Sequence, residues 1–223
     1  MPIMDKKTQD DVREILAGLT GPVKLVMFTQ TFECDYCADT RQLVEEVAAL
    51  SDKITVDVFN FVTDKEVADR YKVDKIPAVV VLGVNDADYG IRFYGIPAGY
   101  EFTSLLEAIQ MVSSGKTRLK PETVAFLNSL TEPLHLQVFV TPTCPYCPSA
   151  VVLSHAMALA SDKVTADMVE ATEFPHLSMR YQVMGVPRTV INDDPRLFIE
   201  GAAPEPILVD RIRKALATPV AQQ

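Results

Sequence analysis

The sequence has no excess of positive charge, no long apolar run and no tryptophan. Thirty acidic residues against twenty-one basic ones give a net charge of −9, so no basic surface is available to neutralise nucleic-acid phosphates or to hold an anionic membrane face. The longest apolar run, residues 78–84, is far short of the roughly 20 residues that a membrane span needs. The opening stretch MPIMDKKTQDD has no apolar signal core. No nucleic-acid partner and no membrane association are expected, and these absences place the chain in the cytosol. Histidine is scarce: His135, His155 and His176 show no triad or ligand-cluster spacing, so each is read as an ordinary surface or core residue. No metal and no other cofactor is expected. What is present is ordinary globular composition, 223 residues with 48% apolar and 23% charged, enough for one large or two small domains.

Cysteine is also rare, and its placement is informative. Cytosolic thiols are kept reduced unless they serve redox catalysis or bind metal. Cys34 and Cys37 lie in E-C-D-Y-C, Cys144 and Cys147 in T-C-P-Y-C, and each pair directly follows an apolar run. The two motifs are 110 residues apart, and sliding the chain by that amount superposes much else. Ser51-Asp52-Lys53-Ile54-Thr55 falls on Ser161-Asp162-Lys163-Val164-Thr165, Asp57 on Asp167, Arg70-Tyr71 on Arg180-Tyr181, and Ile76-Pro77 on Val186-Pro187. Thr31 falls on Thr141 and Tyr36 on Tyr146. So long a period is two copies of one domain rather than a solenoid, with expected bounds 1–115 and 116–223. The join is the Gly-, Ser- and charge-rich stretch 113–121.

Periodicity orders the elements within each copy. Short buried strands are expected at 23–29 and 136–141. Each CxxC then opens a segment with helical apolar spacing. Second strands are expected at 53–60 and 163–169, and short helices at 64–71 and 174–181. Strand pairs at 78–82 with 91–94, and at 189–191 with 197–199, turn through Asn85-Asp86 and Asn192-Asp193-Asp194-Pro195. Closing helices are expected at 102–112 and 206–216, and extra leading helices at 8–19 and 122–130. This order gives an α/β fold: two tandem units, each a mixed sheet flanked by helices.

A strand that ends in CxxC and turns into a helix puts the first sulfur at a helix N-terminus, where unpaired N–H groups and the macrodipole stabilise a thiolate. Cys34 and Cys144 are the expected attackers. Cys37 and Cys147, three residues on, can resolve the mixed disulfide that forms. Pro145 suits the first helical position, where a missing N–H costs nothing. Tyr36 and Tyr146 are read as packing or rim residues rather than as acids. A four-cysteine zinc or iron–sulfur site is the competing reading, but each pair here has its own strand, helix and proline.

CPYC after an apolar strand is the glutaredoxin motif, and a proline 43 residues beyond the first cysteine matches the cis-proline that faces the disulfide in the thioredoxin superfamily. With two such units in tandem, residues 1–217 resemble the protein disulfide oxidoreductases of thermophilic archaea and bacteria. The resemblance implies two thioredoxin-like domains, dithiol–disulfide exchange on protein substrates carrying thiols or disulfides, and a thioredoxin reductase as a possible electron donor. It joins Cys34, Cys37 and Pro77 in one site and Cys144, Cys147 and Pro187 in the other. Cis bonds after Ile76 and Val186 would set backbone beside the sulfurs to pair with an extended substrate. Two departures stand out. The tryptophan that precedes the motif in many thioredoxins is Glu33 in one copy and Thr143 in the other, and the buried acid six residues before the first cysteine is Phe28 or Val138. Proton transfer at the second site is therefore assigned to Glu170, which ends the strand expected beside the CPYC strand. Two other readings stay open. One is an electron carrier from a flavoprotein reductase to a peroxiredoxin. The other is a thioredoxin-fold binding module, for which two intact cysteine pairs would be unnecessary.

Overall fold

The computed structural model describes residues 2–217; the last part of the second expected domain, 218–223, lies outside the described residues. The first unit runs α1 (Lys6–Leu16), β1 (Val23–Thr29), α2 (Cys37–Ala48), β2 (Ile54–Asn60), α3 (Lys65–Arg70), β3 (Ala78–Leu82), β4 (Asp88–Tyr94) and α4 (Glu101–Ser114). The second repeats the order as α5 (Pro121–Asn128), β5 (Leu134–Val140), α6 (Cys147–Ala160), β6 (Val164–Glu170), α7 (Pro175–Arg180), β7 (Arg188–Ile191), β8 (Asp194–Glu200) and α8 (Glu205–Ala217). Among the described residues no helix is long and apolar enough to cross a membrane.

In each unit the strand before the CxxC pairs in parallel with the next strand and antiparallel with the strand after the proline. β3 and β7 then turn back into β4 and β8 through residues in the left-handed region, Asn85 and Asp86 in one turn and Asn192 and Asp193 in the other. Asparagine and aspartate tolerate that conformation best among residues with a side chain.

Strand alternation sorts the core into two layers. Leu25, Met27, Val79, Val81, Leu136, Val138 and Met168 face one side with residues of α1, α2, α4, α6 and α8. Val26, Phe28, Val80, Phe139 and Val169 face the other, where Ala68 of α3 and Leu177 of α7 pack. On that side Phe28 stacks at 5.8 Å on Phe59, and Phe139 lies 5.6 Å from Tyr181.

The two half-sheets are continuous. The order β2-β1-β3-β4-β6-β5-β7-β8 makes one eight-stranded sheet, because β4 and β6, which would otherwise be exposed edges, pair in parallel from Ile91↔Ala166 to Tyr94↔Val169. An edge strand exposes unpaired N–H and C=O groups, and pairing two removes both liabilities. The charges at this seam are matched. Arg92 opposes Asp167 in register, and its guanidinium donates to Asp88 at 2.8 and 2.6 Å and to the Tyr71 carbonyl. His135 donates to Asp167 at 2.8 Å, and contacts with Asp167 and Asp193 raise its pKa to about 10 despite burial.

Behind the seam, residues 95–100 lead from the first unit onto the second. Gly95 donates to the Pro77 carbonyl at 2.9 Å, and Tyr100 donates to the Pro142 carbonyl at 2.9 Å. Glycine is required at two points. A Cβ on Gly95 (φ +88°) would lie 2.6 Å from the Glu170 Cβ, and one on Gly99 (φ +60°) would lie 2.3 Å from the Pro142 oxygen.

The expected elements are all present, but three details differ. The helices after the motifs start at Cys37 and Cys147, so Cys34 and Cys144 precede the helix rather than occupy its first turn. Pro145 therefore lies in the approach turn, and Pro148 takes the early helical position. The repeat is also not a uniform 110: Val23 pairs with Ile54 as Leu134 pairs with Val164, an offset of 111 for the first strands. The first unit holds one extra residue between strand and cysteine, accommodated where Glu33 adopts φ +57°. The counterpart of Phe28 is thus Phe139, not Val138. Both are fully buried and apolar.

Candidate active sites

Each CxxC caps the carboxyl end of a central strand, where the chain leaves the sheet and turns into a helix. In the second unit the turn is tight, Cys144 donating its N–H to the Thr141 carbonyl at 3.1 Å. The cysteines are joined as Cys34–Cys37 and Cys144–Cys147, with Cα separations of 5.4 and 5.5 Å. Cys34 is partly exposed and Cys144 retains 8% exposure, whereas Cys37 and Cys147 fall to 1% and 0%. An attacking thiol must be reachable, whereas a resolving thiol need only reach its partner. β1 and β5 are separated by three strands, so the strands that lead into the two pairs lie roughly 19 Å apart across the sheet. That separation keeps the four sulfurs from ligating one ion or exchanging electrons directly within a chain.

The prolines stand as expected in position: Ile76–Pro77 and Val186–Pro187 are cis, each proline is buried at the start of the strand beside its CxxC strand, and its carbonyl accepts a hydrogen bond from Gly95 or Gly201. The rims differ. Tyr36 and Tyr146 are exposed. Around the first site stand Phe32 at 81% exposure and the carboxylates of Glu33, Asp35 and, in the first turn of α2, Asp39. The first turn of α6 has no acid, and near Val186 the second unit exposes Met179 and Met184 at 74% and 90%.

Two buried carboxyls, Glu170 and Glu101, and the half-buried Glu173 lie on segments beside the approach to the second motif. Glu170 lies opposite Val140 in register at the end of β6, 2% exposed, with one oxygen accepting from Thr172 Oγ1 and the Glu173 N–H and the other without a partner. Glu173, held by the Ile96 N–H at 2.7 Å, is pushed up to about 7 by burial, with the nearby Glu170 charge adding to the rise. Sequence reasoning missed Glu101. It opens α4 one residue after the Tyr100–Pro142 bond, is 1% exposed, and has one oxygen accepting from Ser104 Oγ while the other is unpartnered. Burial pushes its pKa up to about 7. In sequence it looks like an ordinary first-turn acid.

Comparison with known proteins agrees with this geometry. The protein disulfide oxidoreductase of Aeropyrum pernix K1 superposes with a TM-score of 0.87 at 30% identity, over 96% of this chain and 94% of that one. The chain belongs to the protein disulfide oxidoreductase family. A thioredoxin-domain family model matches residues 134–214 of the chain. The NTD_N/C domain of the alkylhydroperoxide reductase AhpF of Enterococcus faecalis is also similar, with a TM-score of 0.84 at 28% identity over 96% of this chain and 100% of that one. An alkyl hydroperoxide reductase protein of Staphylococcus epidermidis is 26% identical over 190 residues, 85% of this chain but 34% of that protein. The chain spans about a third of the length of such curated relatives.

Proposed function

We propose that this chain is a dithiol–disulfide oxidoreductase for protein substrates, with residues 1–115 and 116–223 as two thioredoxin-like domains working in the cytosol. The observation that carries the reading is the repeated CxxC at a strand end, its first cysteine less buried than its second, each motif's strand beside one that starts at a cis proline. Ile76, Pro77, Val186 and Pro187 supply the surface on which substrate lies. In the reducing direction the Cys34 or Cys144 thiolate attacks a client disulfide, a mixed disulfide forms and one client thiolate leaves. The Cys37 or Cys147 thiolate then attacks the enzyme sulfur, the second client thiolate leaves, and the enzyme disulfide remains. At the second site the proton of Cys147 passes to a buried carboxyl. Glu101, poised near neutrality, and Glu170, at the end of β6, are the two acceptors proposed. A thioredoxin-reductase-like flavoprotein restores the dithiols.

Likeness to the alkylhydroperoxide reductase domain over its whole length favours a second reading with the same chemistry, an electron carrier from a flavoprotein to a peroxiredoxin. The shared step is tested by reduction of insulin disulfides with dithiothreitol. The wild type is expected to accelerate it, and the Cys34→Ser, Cys144→Ser double variant to leave the uncatalysed rate. Equal rates from the two proteins would overturn the proposal.

A further inference from the structure

Cys34 lines a cavity of about 540 Å³ between α2 and the start of α3, together with Arg41, Asp64, Asn60 and Phe59. Its size falls in the range that takes small molecules. Two charges of opposite sign come from different elements. Arg41, on α2, is half exposed and gives only its Nε to Glu45, at 2.7 Å. Asp64, just before α3, accepts the Asn60 N–H with one oxygen, at 2.7 Å. The Asn60 side-chain oxygen accepts from the Val62 and Thr63 N–H groups of the following turn. The cavity wall therefore presents a guanidinium and a carboxylate beside a redox sulfur.

We infer that the first site accepts a small zwitterionic aminothiol or its disulfide, of the cysteine–cystine type, with its carboxylate at Arg41 and its ammonium at Asp64. The inference rests on the dithiol–disulfide reading above and names a substrate class for one of the two sites. An ion pair to a guanidinium supplies direction as well as attraction, and the acids Glu33, Asp35 and Asp39 nearby favour a ligand that carries an ammonium. The second motif instead has the exposed Tyr146 and no acid in the first turn of α6, so its rim carries less charge to hold a zwitterion.

The chemistry balances with the small compound as the only co-reactant. Starting from the reduced pair, the Cys34 thiolate attacks one sulfur of the small disulfide, forming a mixed disulfide and expelling one small thiolate. The Cys37 thiol loses its proton to solvent, and the resulting thiolate attacks Cys34 Sγ, expelling the second small thiolate and closing the Cys34–Cys37 bond. Two electrons pass from the enzyme dithiol to the small disulfide, and the reverse sequence reduces the enzyme.

The test uses a Cys144→Ser, Cys147→Ser background that keeps the first pair alone. Prereduced protein is mixed with cystine, with cystamine (ammonium only) or with dithiodipropionate (carboxylate only), and second-order rate constants for closing the disulfide are measured. Arg41→Ala is expected to lower the cystine-to-cystamine ratio about tenfold, the scale of one lost charge-assisted contact, with Arg41→Lys retaining most of it. Asp64→Asn is expected to lower the cystine-to-dithiodipropionate ratio by a similar factor. Ratios within about twofold of the parent, while the parent still reduces insulin, overturn the inference alone. A parent that reacts with none of the three compounds and does not reduce insulin overturns both the inference and the reading beneath it.

Discussion

The Cys144–Cys147 pair is expected to be the more oxidising of the two, by on the order of 30 to 60 mV. Glu33, Asp35 and Asp39 surround Cys34, and carboxylates that close disfavour a thiolate, whereas Thr143 and Pro145 flank Cys144 and the first turn of α6 carries no acid. The wider field agrees, since residues 1–112 carry a net charge of −8 and residues 113–223 a net −1. Partial burial of Cys144 opposes this by desolvating its thiolate. Three acids against one partial desolvation decide the sign. A lower nucleophile pKa stabilises the dithiol and raises the potential, each pKa unit being roughly 30 mV for two electrons. Because the pairs cannot meet within one chain, the gap would let the second site oxidise clients while the first reduces them. Glutathione redox titration of two variants, each keeping one CxxC, gives both potentials. A Cys34–Cys37 pair equally or more oxidising would show that local charge does not set them.

Glu101→Gln is expected to alter the pH dependence of both stability and resolution. Burial raises this carboxyl from 4.5 to about 7, so below pH 4.5 it is protonated in both folded and unfolded chains. Between 4.5 and 7 only the unfolded chain releases the proton, so stability falls as pH rises through that window. The full loss is about 3 kcal/mol for a shift of this size. Glu173, also raised to about 7, acts in the same direction. Denaturant titrations from pH 4 to 8 should therefore show a shallower decline in Glu101→Gln than in the wild type. If Glu101 also takes the Cys147 proton, resolution of the mixed disulfide at the second site should slow and lose its inflection near neutrality. Glu170→Gln tested in parallel separates the two acceptors: a carboxyl whose removal leaves resolution unchanged between pH 6 and 8 has no part in the proton transfer.

Local physics made most of the fold readable. Left-handed turns need Asn85-Asp86 and Asn192-Asp193, buried strands need apolar runs, and a redox pair needs two cysteines one turn apart at a strand end. The repeat then let each unit check the other. Features that depend on the two units meeting were not readable. Arg92 is a charge inside a strand pattern until Asp167 is seen opposite it. Gly99 is a loop glycine until Pro142 lies against it, and Glu101 reads as a solvated helix acid although the fold leaves it 1% exposed. The one-residue offset was hidden for another reason. Thr31 and Thr141 coincide in sequence although Glu33, in the left-handed region, shifts the first loop relative to its strand.

The central claim is that both motifs are working sites attacked through Cys34 and Cys144. The most direct measurement is trapping: a Cys37→Ser, Cys147→Ser variant cannot resolve a mixed disulfide, so reduced protein incubated with oxidised insulin should accumulate covalent adducts. Peptide mapping is expected to find insulin bound to Cys34 and to Cys144 in separate peptides. Adducts on only one cysteine, or none on either, would contradict a chain with two independent dithiol–disulfide sites.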